Sequence, residues 1–134
     1  MNLQSPEVTI EKSQEETYNF INDIKNFEQL MPENISKFEI KSEDTFLFAL
    51  KGMPEIVLKR KETTPHSAIV FGAGGGKLDF SLITKISQET DNRSSVQLTF
   101  DGDFNPMMAM MIKGPIGKFI ETLVTNLKKV SSSI

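Results

Sequence analysis

The chain has 134 residues, 15 Lys+Arg against 18 Asp+Glu, and no cysteine. That length predicts one domain spanning 1–134 with a core large enough to need no staples, and the missing cysteines exclude disulfides and thiolate metal sites. A net charge of -3 with interspersed signs argues against nucleic acid as a partner.

The opening residues, MNLQSPEVTIEK, have neither a basic segment nor an apolar core, so they do not read as a signal peptide. No apolar run approaches the roughly 18 residues of a membrane span, so no stable membrane insertion is expected and a cytoplasmic protein is the default. Ten Phe and seven Met, with one Tyr and no Trp, supply apolar area with few polar tips. Such a set suits either a compliant apolar interior or an ordinary Phe-rich core.

Glu7 to Lys12 alternates, with Val8 and Ile10 on one face, and predicts a half-buried strand. Ser13 reads as an N-cap ahead of Glu15 and Glu16, and Tyr18, Phe20, Ile21 and Ile24 carry the helix onward. Asn26 interrupts it, and Phe27 to Met31 forms a short helical piece that Pro32 ends.

From Ile35 the period becomes two. Phe38 and Ile40, then Phe46, Phe48 and Leu50, then Ile56 and Leu58 mark apolar faces of successive strands, with Arg60 in phase with the last pair. Ile69 and Phe71 lead into Gly72–Gly76, read as a tight or bulged connection. Leu78, Phe80, Leu82 and Ile86 line the next strand, and Val96, Leu98 and Phe100 the last one. Short connections make consecutive strands antiparallel. The segment from Asn105 to Val130 is the only long stretch with helical apolar spacing, about 24 residues or roughly 36 Å, and it is the natural cover for the sheet.

Several motifs invite chemistry. Phe71–Lys77, FGAGGGK, misses the first glycine of a phosphate loop and is followed by Leu78 rather than Ser or Thr, so a hairpin is the better account. The lone histidine, His66, sits in a predicted turn without a second ligand, and no metal site is expected. Asp101, Asp103 and Glu55 fall on the outward parity. Arg60 and Thr84 are the only polar groups on the inward faces. Arg60 either meets a ligand's carboxylate or phosphate head or marks where its strand reaches solvent. No catalytic constellation or cofactor motif is legible.

In the long helix Ile112, Ile116, Phe119, Ile120, Leu123, Leu127 and Val130 form the stripe toward the sheet, while Met107 and Met110 fall on the opposite side. That methionine face is open to three readings: the lip of a ligand cavity, a homodimer patch, or burial beneath a loop. Gly114-Pro115 predicts a bend.

The order of strand, helix pair, about six to seven strands and one long helix resembles the START-like superfamily (polyketide cyclase and lipid-transport, SRPBCC) with its α+β helix-grip fold. The local likeness lies in Glu7–Ser13 followed by Glu15-Glu16-Thr17-Tyr18, in Asn26-Phe27-Glu28-Gln29-Leu30-Met31-Pro32, with Leu30 where many relatives carry Trp, and in the terminal helix. The resemblance implies an apolar cavity between a curved sheet and that helix. The expected function is noncatalytic binding of a small apolar or amphipathic, lipid-like or polycyclic molecule. Phe48, Phe71, Phe80, Leu98 and Phe100 would line the sheet side, Met108, Met111, Ile112 and Phe119 the helix side, with Arg60 at one end. The alternatives are a cyclase or aromatase-like enzyme, which needs a buried acid or base, and an interaction module using Met107 and Met110.

Overall fold

The computed structural model describes residues 1–74 and 79–134. The strands are β1 (Asn2–Gln4), β2 (Val8–Ile10), β3 (Ile35–Ile40), β4 (Thr45–Leu50), β5 (Ile56–Thr64), β6 (Ala68–Ala73), β7 (Phe80–Thr90) and β8 (Arg93–Gly102). Two α-helices, α1 (Gln14–Asn22) and α2 (Pro106–Val130), and a 3-10 helix over Ile24–Leu30 complete the main elements. The expectations placed on Leu78 and on the end of the glycine run fall outside the described residues.

β3 to β8 follow one another as an antiparallel meander, and both N-terminal strands pair with β8. β1, which no sequence pattern announced, sets Asn2 against Asp101, and β2 sets Val8 against Val96. Between them Pro6 offers no N–H to the ladder. Ser5 covers the break: its N–H donates to the Leu98 carbonyl at 2.8 Å, and its hydroxyl accepts from the Leu98 N–H at 2.9 Å.

Ser13 caps α1 as its position predicts, with a reciprocal capping box through Glu16. The helix ends at Asn22, one turn before the expected stop. Asp23 turns extended there, and its side chain accepts from the Lys25 N–H at 3.1 Å to start the 3-10 helix. Asn105 caps α2 by accepting from the Met108 N–H at 2.8 Å, with Pro106 at the first helical position. α2 remains one helix through Pro115.

The core lies between the concave sheet face and α2. Ile112, Ile116, Phe119, Ile120, Leu123, Val124 and Leu127 are its buried helical residues. They meet Phe46, Phe48, Phe71, Phe80, Leu82, Leu98 and Phe100, all buried. The Phe rings form two clusters of stacked and edge-on pairs. One runs through Phe27, Phe46, Phe48, Phe71 and Phe119, and the other joins Phe80, Phe100 and Phe104.

Candidate functional site: a groove beside a closed interior

The expected cavity between sheet and helix is almost filled. What remains is a void of about 10 Å³ bordered by Ile21, Phe27, Leu30, Thr84, Val96, Leu98, Leu123, Val124 and Leu127. Of the expected lining, Phe48, Phe71, Phe80, Phe100, Ile112 and Phe119 are packed core, and Leu98 alone borders the void. Phe48 and Phe119 lie face to face, with centroids 4.6 Å apart and planes 13° apart.

The larger space is a groove of about 580 Å³ lined by Phe119 of that pair. Three segments build it. Pro32, Glu33 and Asn34 follow the 3-10 helix; Leu50, Lys51 and Met53 end β4 and begin its turn; Pro115, Lys118, Phe119, Thr122, Asn126 and Lys129 lie along α2. Gly52 makes the turn at φ 80°, a conformation that suits residues without a Cβ. Lys51 N–H donates to the Asn34 carbonyl at 3.0 Å, which joins the first two segments. Asn126 Nδ2 donates to the Leu30 carbonyl at 2.9 Å and so ties α2 to the 3-10 helix. The floor is apolar, from Leu50, Met53, Pro115 and Phe119. The rim carries three lysines against one glutamate. An apolar floor under a cationic rim suits an amphipathic anion.

Groove and void follow one another along α2. Phe119 lines the groove and Leu123, one helical turn on, lines the void. Leu30 borders the void with its side chain, while its carbonyl is held by Asn126 of the groove.

Arg60 is elsewhere. Its guanidinium donates to the carbonyl of Asn22, the last residue of α1, and to the Glu43 carbonyl at 3.3 Å. A cation there satisfies one of the orphan carbonyls of a helix end and favours the negative end of its dipole. The side chain lines a separate open cleft of about 310 Å³ with Asp23, Lys25, Ile40 and Ser42, away from the sheet–helix interior where a ligand head was expected.

Met111, expected on the cavity side, is 61% exposed. Its phase explains this: at 3.6 residues per turn it lies about 140° around the helix from the middle of the buried stripe that runs from Ile112 to Leu127. Met107 and Met110 are 75% and 84% exposed on the same outer side, and Met108 is half-buried at the flank. The three exposed methionines make an outward apolar patch.

Thr84 has the inward position its parity predicts. It is fully buried, paired across the ladder with Ile69 and Leu98, and its hydroxyl has no hydrogen-bond partner. The buried Thr17 and Ser94 hydroxyls, by contrast, bond each other at 3.0 Å. An unpaired buried hydroxyl costs on the order of 1–3 kcal/mol.

The buried polar side chains among the described residues are all hydroxyls: Ser5, Thr17, Thr84, Ser94, Ser95 and Ser131. The resolved pKa shifts belong to the outer surface. A hydrogen bond from Lys37 to Glu55 raises the Lys37 ammonium. Lys41 lowers the Glu39 carboxyl, and Ser42 and Thr45 lower that of Asp44. His66 sits exposed in its turn at φ 71°, its ring edge-on to Tyr18 with centroids 5.6 Å apart. No group of three potential metal ligands occurs among the described residues, nor any helix long and apolar enough to cross a membrane.

No family model matches the chain, and no curated protein matches its sequence. Solved structures do match along its length. A START superfamily protein from Mycobacterium smegmatis superposes with a TM-score of 0.77 at 14% identity, covering 98% of this chain and 97% of that one. This is the START-like fold. Norcoclaurine synthase from Thalictrum, solved with a transition-state analogue, shares the fold at a TM-score of 0.76 and 10% identity, over 99% and 94% of the two chains. The Aha1 dimer from Colwellia psychrerythraea does so at 0.63 and 15%, over 97% and 95%. The START-like fold therefore holds an enzyme among its members, and the surroundings of the groove decide the reading for this chain.

Proposed function

We propose that the protein is a noncatalytic binder of a small amphipathic molecule, held where α2 meets the edge of the sheet. The observation that carries this reading is the groove lined by Leu50, Met53, Pro115 and Phe119, with its apolar floor and cationic rim. The ligand's apolar part lies on Leu50, Met53, Pro115 and Phe119, and its anionic end meets Lys51, Lys118 or Lys129. Deeper seating between sheet and helix requires Phe119 and Leu30 to give way. Affinity comes from apolar burial at about 25 cal/mol per Å², less the costs of association. Uncharged hydroxyls at the buried polar positions favour binding over the proton transfer a cyclase would need.

Titration with 1-anilinonaphthalene-8-sulfonate tests this. Met53→Glu and Met111→Glu add the same charge at two exposed or half-exposed sites, but only Met53 lines the groove. Met53→Glu is expected to weaken probe binding about tenfold, a difference of about 1.4 kcal/mol, and Met111→Glu to leave it nearly unchanged. Equal effects of the two would count against the groove.

A second reading, association of two copies through α2, is favoured by the exposure of Met107 and Met110. Light scattering on the Met107→Asp, Met110→Asp double variant should show a dimer lost while probe binding persists. A monomer in both proteins rejects this second reading.

A further inference from the structure

We infer that the ligand of the groove is a long single-chain anion, lying along α2 with its head beside Asn126 and its tail over Met111. The inference rests on the proposed binding function and adds the ligand's length and direction to it. Met111, Pro115, Lys118, Thr122, Asn126 and Lys129 follow one another at steps of three or four residues, so they share one face of α2. The last five line the groove. Because α2 is a single helix through Pro115, that face continues beyond the groove to Met111 and, one turn further, to Met107. Both methionines are exposed, at 61% and 75%. Met110 is exposed too, but it sits about 100° round the helix from Met111 and off this face.

The face changes character along its length. Pro115, Met111 and Met107 make its N-terminal half apolar, with Phe119 beside Pro115 in the groove. Thr122, Asn126 and Lys129 make the C-terminal half polar. Lys51 belongs to that polar end: its N–H donates to the Asn34 carbonyl, and Asn34 closely follows Leu30, whose carbonyl Asn126 holds. Among the described residues neither Lys51 nor Lys129 enters an ion pair, so both are free for an anionic head. From Asn126 to Met111 the helix rises about 22 Å, at about 1.5 Å per residue. An extended chain advances about 1.2 Å per bond, so about 18 atoms span that distance. A compact polycyclic molecule would end near Pro115 and leave the methionines in water.

Two probes of different length test this. trans-Parinarate is a straight fluorescent fatty acid of about the inferred length, and 1-anilinonaphthalene-8-sulfonate is compact. Met111→Glu is expected to weaken trans-parinarate about tenfold, the loss of about two buried methylenes, and to leave the compact probe nearly unchanged. Met110→Glu adds the same charge one residue away and should leave both probes unchanged. Lys129→Gln should weaken trans-parinarate about threefold, the scale of one exposed ion pair, but not its methyl ester. Thermal melts establish that each variant is folded, as exposed positions allow. Equal effects of Met111→Glu and Met110→Glu on trans-parinarate, or none from either, overturn the extended seat. No effect of Lys129→Gln overturns the direction assigned to the chain. Wild type that binds the compact probe but not trans-parinarate overturns the inference and leaves the binding function standing. Failure to bind either probe overturns both.

Discussion

Phe71→Ala is expected to lower the stability of the fold by about 3–5 kcal/mol. The ring is fully buried in the middle of β6. It stands edge-on to Phe27 at 5.3 Å and to Phe46 at 6.0 Å, so it joins the 3-10 helix to the sheet. Removing it leaves a hole that strand backbone on both sides cannot close. Domains of this size are stable by about 5–15 kcal/mol, so the loss is a large share of the total. Urea denaturation should show a lower midpoint with an unchanged slope. A loss below about 1 kcal/mol would mean that the ring is not enclosed as described.

The second large effect is expected at Phe119, and it differs in kind. Phe119→Ala removes the ring stacked on Phe48 at 4.6 Å, a similar loss of about 3–5 kcal/mol. Phe119 also forms the floor of the groove, so its removal joins the groove to the interior. Probe uptake should rise even as stability falls, and saturating probe should recover part of the melting temperature through mass action. Phe71→Ala is the control, because its hole has no comparable route to the surface. Equal gains in uptake for both variants would show a generally loosened core, which also attracts such probes.

The fold was readable in the sequence because its two periods are clean. Phe46–Phe48–Leu50 and Val96–Leu98–Phe100 alternate, and Ile112–Ile116–Phe119–Leu123 repeats as a helix does. β1 escaped notice because three residues with one apolar side chain, Leu3, hold no pattern, and their pairing is dictated by the backbone of β8. The site was less legible. Inward parity identifies which Phe residues face the helix, but says nothing about whether their volumes leave space. The groove draws Pro32, Met53 and Asn126 from distant parts of the chain, and none stands out locally. Arg60 was identified as an inward cation, yet its partner is the end of α1, a contact no period encodes. Met111, expected on the cavity side, lies outside the buried stripe, whereas parity alone put Thr84 inside.

The pairing of the N-terminal strands with β8 has a consequence for synthesis of the chain. Asn2 meets Asp101 and Val8 meets Val96, so the first strands made wait for the last strand before they acquire partners. At about 5–20 residues per second that wait lasts on the order of 5–20 s. Meanwhile the β3–β7 hairpins can pair locally, though α2 has not yet been made to cover them. Folding should therefore be limited by a late docking step that joins both ends of the chain, and contacts so distant in sequence slow folding.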